Sequence, residues 1–140
     1  MLNAYMMRVN PEDGTVYKGY IGSIENTIEA KQKYVGGLIQ VISLNSDIDI
    51  ICNDEGKLKG LKANRAFIAG SRFLDIFTGD ILAVRHDNEG NFTSIHEEDI
   101  PVIEAMLKPI LAIADNAILL AYADDLKEYV DGGDAGASSH

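Results

Sequence analysis

The sequence predicts an α+β fold: a mainly antiparallel sheet of about five to six strands, one short helix on a face, and two C-terminal helices. Two observations support this prediction. Short β-branched runs alternate with turn residues along most of the chain, which is typical of antiparallel strands. Helix-start signals occur at Asn26 and Ser94, each with a glutamate three residues later. The 140 residues, of which 46% are hydrophobic, suit one domain with a single core.

The first predicted elements are a β-hairpin and a helix. Residues 5–9 and 15–21 contain β-branched or alternating apolar residues, and the turn sequence NPEDG lies between them. Asn26 has the residue type and position of a helix cap. The double glycine beginning at Gly36 supplies the left-handed conformation that ends a helix. We therefore expect a helix of about ten residues between these two positions.

The next segment predicts a β-meander. Residues 38–44 and 48–52 are rich in β-branched side chains, and the turn-forming residues 45–47 separate them. Residues 53–56 have the composition of a second turn that ends on glycine. Residues 57–61 could then return along the sheet as a third strand.

The following segment combines a strand and a helix. Residues 61–78 contain apolar patches without clear periodicity, so no element is assigned to them. Residues 81–84 are an apolar run between turns and predict a buried strand, with Phe92 in a short partner strand. A helix is expected after Ser94, and Pro109 forbids its regular continuation.

A second C-terminal helix is predicted from Ile110 to Val130. Its apolar stripe is wider than the band that a small sheet would cover. The helix therefore either packs against both the sheet and the preceding helix or forms the seam of a homodimer. The predicted organisation is an α+β domain over residues 1–108, a helical extension over residues 109–131, and a flexible Gly-, Ser- and Ala-rich tail over residues 132–140.

A series of turn and strand residues resembles one protein family: Tyr34 to Gly37, Ile39, Asn53 to Gly56, Gly60-Leu61 and Asn64-Arg65. The chain is similar to the family called domain of unknown function thirty-eight forty-six, which occurs in bacteriophages and conjugative elements, mainly of Gram-positive bacteria. The similarity runs from about Met6 to about Ala105 and implies a mobile-element setting, with no catalytic or binding residues to transfer. The family pattern tends to have proline where this sequence has Lys62-Ala63, and the C-terminal segment is an addition to it.

The net charge of −10 is unevenly distributed along the chain. Residues 1–70 carry eight basic and eight acidic side chains, whereas residues 71–140 carry four and fourteen. This asymmetry fits either a contact with a basic protein surface or a face that only keeps the protein soluble. It disfavours direct nucleic-acid binding, because phosphates require Lys and Arg. The acidic side chains predicted to contact a partner are Glu97, Glu98, Asp99, Glu104, Asp124, Asp125 and Glu128.

A small basic run surrounds the turn after residue 56. It could bind a phosphate group of a nucleotide or a nucleic acid. Alternatively, its lysines protect the edge of a hairpin from aggregation. The members of this candidate phosphate site are Lys57, Lys59, Lys62, Asn64 and Arg65.

No recognisable catalytic motif is present, so we expect a non-enzymatic protein without a cofactor or a metal. One cluster has metal-ligand character, but its spacing matches no zinc or calcium motif: His86, Asp87, His96, Glu97, Glu98 and Asp99. Cys52 on a strand predicts a buried thiol. The N-terminus lacks the pattern of a signal peptide, and the apolar run at residues 110–123 is too short to span a bilayer, which favours a cytoplasmic location.

Three functions fit these observations. The first is a phage or mobile-element inhibitor that binds a host defence protein through the acidic second half. The second is a small-ligand binding protein, such as a sponge for a nucleotide signal, that uses the basic turn and a pocket at a dimer seam. The third is a structural or regulatory protein without a discrete site. We expect the first, because it accounts for both the family resemblance and the charge asymmetry.

Overall fold

The computed structural model describes residues 1–130 and shows a mainly β protein. Two α-helices occur in these residues, α1 (Ile28–Val35) and α2 (Ile100–Met106), with short 3-10 turns at Glu97–Asp99 and Ala123–Asp125. The strands are β1 (Leu2–Met7), β2 (Tyr17–Lys18), β3 (Tyr20–Ile24), β4 (Ile39–Ser43), β5 (Ile48–Asn53), β6 (Ala63–Ala69), β7 (Arg72–Thr78), β8 (Ile81–His86), β9 (Phe92–Thr93), β10 (Leu107–Ala114), β11 (Ala117–Leu120) and β12 (Lys127–Glu128).

Within residues 1–130 the strands form three sheets. The first has six strands in the order β3-β1-β8-β5-β4, with β9 also paired to β8. The second has four strands in the order β11-β10-β6-β7. Every pairing in these two sheets is antiparallel, whereas β12 and β2 form a short parallel pair. The six-stranded sheet is the scaffold on which the other elements pack.

The central strands of the six-stranded sheet are covered on both faces. Along β5, Ile48 and Ile50 belong to a core shared with the second sheet, whereas Ile51 belongs to the core under α1. Alternate side chains of a strand point to opposite faces, so a continuous apolar run can fill two cores at once. The second sheet contributes Phe67 and Phe77 to the shared core, where their rings stack at 5.9 Å between centroids.

Helix α1 confirms the predicted helix, with one change at its start. The Oγ1 of Thr27, rather than the side chain of Asn26, accepts the capping bond from the Ala30 N–H. The Asn26 Oδ1 instead accepts a hydrogen bond from the Lys31 Nζ at 2.7 Å. Gly36 adopts a φ of 83° and ends the helix as predicted.

Most strand predictions are confirmed, with shifted boundaries. The N-terminal hairpin corresponds to β1 and β3, the meander to β4 and β5, and the later pair to β8 and β9. The predicted strand at residues 57–61 is wrong, because these residues form successive hydrogen-bonded turns. Residues 61–78, which received no assignment, contain the β6–β7 hairpin with its turn at Gly70.

The prediction of an α+β fold with two C-terminal helices is wrong. Helix α2 matches the first of them, but the predicted helix from Ile110 to Val130 is replaced by β10, β11, a 3-10 turn and β12. Asp115 and Asn116 occupy a two-residue turn between the paired residues Ala114 and Ala117, which is typical of a β-hairpin. A stripe too wide for one helix face is also the pattern of a hairpin with apolar residues on both faces.

The correction changes how the C-terminal segment joins the rest of the chain. Leu107 and Lys108 pair with residues of β6, so the segment begins inside a strand of the second sheet. Two alternatives were predicted for this helix: packing against the sheet and the preceding helix, or forming the seam of a homodimer. Neither applies, because no α-helix forms within residues 110–130. The predicted tail at residues 132–140 lies outside the described residues.

Candidate functional site

A cavity of about 400 Å³ opens between the two large sheets, α2 and the segment that follows β11. Its walls are mainly apolar, and a few polar side chains from different elements converge on it. We call it the Arg65 cavity. It is lined by Tyr5, Met7, Gly19, Arg65, Ile103, Glu104, Leu107, Lys108, Pro109, Leu120, Ala121, Tyr122, Ala123 and Leu126.

The Arg65 guanidinium is a buried cation with neutral partners. The residue is 3% exposed, and its Nη1 donates to the Asn64 Oδ1 at 2.7 Å while its Nη2 donates to the Tyr17 carbonyl at 2.9 Å. No carboxylate within residues 1–130 forms an ion pair with it. Burial lowers the pKa of Arg65 to about 10, so the side chain remains charged at neutral pH.

Tyr5 and Glu104 form a second polar group on the cavity wall. The Tyr5 hydroxyl donates to the Glu104 Oε2 at 2.5 Å. Burial, together with this hydrogen bond to the carboxylate, raises the pKa of Tyr5 above its ordinary value. Tyr5 therefore stays a hydrogen-bond donor at neutral pH and fixes the position of the Glu104 carboxylate.

The local sequence explains why Arg65 reaches the cavity. Arg65 and Phe67 are two residues apart on β6 and therefore point to the same face of the second sheet, which faces the shared core. Asn64 is fully buried, and its Nδ2 donates to the carbonyls of Met7 at 2.9 Å and Gly79 at 2.8 Å. These bonds tie β6 to the six-stranded sheet and fix the oxygen that accepts from Arg65.

The structure separates the five residues of the predicted phosphate site. Asn64 and Arg65 are buried, whereas Lys57, Lys59 and Lys62 are exposed. Lys57 forms an ion pair with Asp75, and the Lys59 Nζ lies 4.0 Å from the Glu55 Oε1. The lysines thus remain on a solvated turn while Arg65 belongs to the cavity.

The seven acidic residues predicted to contact a partner also fall into two groups. Asp99 accepts two hydrogen bonds from Arg85, at 2.7 and 2.9 Å, and Glu104 accepts from Tyr5. The Arg85 side chain holds the pKa of Asp99 below its ordinary value. The other five are exposed and form no ion pair within residues 1–130: Glu97, Glu98, Asp124, Asp125 and Glu128.

The histidines and the cysteine occupy separate environments. In the described part of the chain, no group of three or more His, Cys, Asp or Glu side chains is placed to hold a metal ion. The His86 Nδ1 lies 2.9 Å from the Asp49 Oδ2, whereas His96 is exposed. Cys52 is confirmed as a buried thiol, and burial raises its pKa to about 11, which disfavours the reactive thiolate.

Sequence reasoning named Arg65 but placed it on a solvated turn, and it did not single out Tyr5 as part of a site. One feature of the sequence indicates that Arg65 is buried. Arg65 is followed directly by the apolar run AFIA, and a charged residue that begins such a run is a candidate for burial. The convergence of Tyr5 with Glu104 could not be found this way, because 99 positions separate them in the chain.

The fold and the cavity define a mainly β protein with a ligand-sized pocket between two packed sheets. The chain belongs to the family described as domain of unknown function (DUF3846), whose profile matches residues 6–108, so the predicted family is confirmed. Arg65 and Glu104 lie inside the matched region, whereas Tyr5 and the hairpin turn at Asp115 lie outside it. Searches of the curated proteins and of the solved structures found no match. No helix in residues 1–130 is long and apolar enough to cross a membrane.

Proposed function

We propose that this protein is a non-enzymatic binding protein for a small ligand with one anionic group and an apolar body, and that the ligand occupies the Arg65 cavity. The buried Arg65 cation supports this proposal, because its hydrogen-bond partners are neutral. A buried charge without a counter-charge costs free energy. The Glu104 carboxylate acts on Arg65 through space but forms no ion pair with it, so an anionic ligand supplies a directly bonded counter-charge.

The size and lining of the cavity suit such a ligand. Its volume of about 400 Å³ falls in the range of small-molecule sites. Ile103, Leu107 and Leu120 provide an apolar wall for the body of the ligand. The Glu104 carboxylate repels a second anionic group on the same side, so a ligand with a single anionic head fits better than a polyanion.

A fluorescence titration with two related probes tests this proposal. Anilinonaphthalene sulfonate carries an anionic group on an aromatic body, and phenylnaphthylamine has a similar body without the charge. We expect the wild-type protein to prefer the sulfonate. Arg65→Gln should weaken sulfonate binding roughly tenfold or more, because a charge-assisted hydrogen bond contributes about 1.5–3 kcal/mol. Binding of the neutral probe should change little.

Matched variants separate the cavity from the rest of the surface. Arg72→Gln removes an exposed arginine and should keep the preference for the sulfonate. Ile113→Lys places a charge on the apolar hairpin outside the cavity and should also keep the preference for the sulfonate. Ala123→Trp adds bulk to the cavity wall and should weaken binding of both probes. Equal sulfonate binding by the wild type and a folded Arg65→Gln variant, checked by circular dichroism, contradicts the proposal.

A second candidate function is inhibition of a host defence protein that has a basic surface. The five exposed acidic side chains defined above support it, because no basic side chain within residues 1–130 forms an ion pair with them. Exposed carboxylates of this kind steer a basic partner and can take the place of nucleic-acid phosphates in its groove. A mobile-element setting would be consistent with this role.

Charge reversal tests the second candidate in a host that carries a defence system. Replacing the five exposed acids by Lys should abolish protection of an incoming phage while leaving the fold unchanged. The matched control reverses five other exposed acids, Glu12, Glu25, Glu29, Asp54 and Glu89, and should still protect. Equal protection by both folded variants would show that the acidic surface is not the contact.

A further inference from the structure

The β10–β11 hairpin leaves apolar side chains uncovered on both of its faces. Ile113 pairs with Ile118 and lies on the face of the groove, whereas Leu119 lies on the opposite face. Leu111, Ile113 and Leu119 are 68%, 56% and 50% exposed. Ile113 also lines an apolar groove of about 520 Å³, together with Phe73 and Ile76 of β7. An apolar surface of this kind on a folded chain indicates an interaction site.

The edge of the second sheet lies at the same place. β11 is the terminal strand of that sheet, so one side of its backbone has no strand partner within residues 1–130. Proteins usually protect such an edge with lysine, proline or a bulge that faces solvent. The four residues of β11, AILL, contain no lysine or proline, and the register shift of the β10–β11 pair lies between Ile110 and Ala112 of β10. The edge is therefore open to pairing with another strand.

The charge distribution favours a second copy of this chain as the partner. The chain carries a net charge of −10, so most of its surface repels another copy. Between Pro109 and Ala123, however, Asp115 is the sole charged residue. The hairpin is thus a surface on which two copies can meet without strong repulsion.

Residues 131–140 lack, in their sequence, the apolar side chains that a cover for the hairpin needs. Their sequence, DGGDAGASSH, contains no large apolar side chain. Burying the exposed leucines requires apolar side chains from elsewhere. A second hairpin of the same composition supplies them.

We propose that two copies of this chain associate through antiparallel pairing of β11 with β11 of the other copy around a two-fold axis. This pairing joins the two four-stranded sheets into one sheet and buries Leu119 of both copies. It also brings the apolar grooves of the copies side by side. The proposal does not depend on the ligand of the Arg65 cavity, and the variants below avoid Leu120 because that residue lines both the cavity and the groove.

Multi-angle light scattering over the micromolar concentration range tests the association. We expect the wild type to reach twice the monomer mass of 15.2 kDa. Leu119→Lys and Ile118→Lys should remain monomeric, because each places a charge on the strand that pairs. Leu58→Lys is the matched control, since Leu58 is 88% exposed and lies neither on β11 nor in the groove, and this variant should dimerise like the wild type. A wild-type protein that stays monomeric overturns the proposal, as does a Leu119→Lys variant that still dimerises.

Cysteine cross-linking tests the strand pairing itself. In a two-fold antiparallel pair, residues near the axis face their own counterparts in the other copy. Ile118→Cys or Leu119→Cys should therefore form a covalent dimer under mild oxidation, whereas Leu58→Cys should not. A wild-type dimer in which neither hairpin variant cross-links would overturn the β11 pairing.

Discussion

The central strands of the six-stranded sheet and the distal part of the β10–β11 hairpin, residues 111–120, are both rich in apolar residues but have opposite exposures. Leu82 of the sheet is 0% exposed, whereas Leu119 of the hairpin is 50% exposed. The exposures differ because the two regions have different packing partners. The sheet packs against α1 on one face and against the second sheet on the other, whereas within residues 1–130 the distal hairpin has no comparable cover. Apolar residues therefore form a stable core only where the topology provides a packing partner on each face.

The largest expected effect concerns the covered sheet. Leu82→Ala should lower the free energy of unfolding by about 2–5 kcal/mol, because it removes buried methyl groups and leaves a cavity. Urea unfolding followed by circular dichroism measures this change. A loss below about 1 kcal/mol would mean that the sheet is less tightly covered at β8 than its burial indicates.

A second prediction concerns the connection between the two sheets. Asn64→Ala removes the donor to the Met7 and Gly79 carbonyls and leaves them buried without that partner. We expect a loss of about 1–3 kcal/mol, since unsatisfied buried polar groups retain their desolvation cost. Asn88→Ala, in an exposed turn, is the matched control and should be near neutral. Equal unfolding midpoints for the two variants would contradict the bridging role of Asn64.

A third, smaller effect is the pH-dependent stabilisation by the ion pair between Arg85 of β8 and Asp99, which directly precedes α2. The Arg85 side chain lowers the pKa of Asp99 in the folded state, so the ionised carboxylate stabilises the fold. This contribution is complete above the unfolded-state pKa of about 4 and is lost as the pH falls through the lower folded-state value. Thermal unfolding should show wild type more stable than Asp99→Asn at neutral pH, with the difference shrinking in acid. Glu25→Gln, which alters an exposed carboxylate that forms no ion pair within residues 1–130, should show no such convergence.

The sequence predicts the six-stranded sheet better than it predicts the β10–β11 hairpin. The capped helix ending at Gly36 and the strands of the six-stranded sheet follow from local signals, which agree with the tertiary structure. The β10–β11 hairpin does not follow from local signals, because its apolar pattern is compatible with both the helical and the strand period. The site was predictable as far as the choice of Arg65. Its cavity depends on contacts between distant segments, such as Tyr5 with Glu104, that no local pattern contains.

The smallest expected effect is the counterpart of Leu82→Ala in the hairpin. Leu119→Ala should change the unfolding free energy of the monomer by less than about 0.5 kcal/mol, because the side chain is half exposed in a single copy. If two copies pair through β11, the wild type gains stability as protein concentration rises, because association favours the folded state. The unfolding midpoint of Leu119→Ala should then equal that of the wild type in dilute solution and lie below it at high protein concentration. Unfolding midpoints measured over a concentration series check this. A deficit that is the same at every concentration would place Leu119 in the core of the monomer and remove the contrast between the two regions.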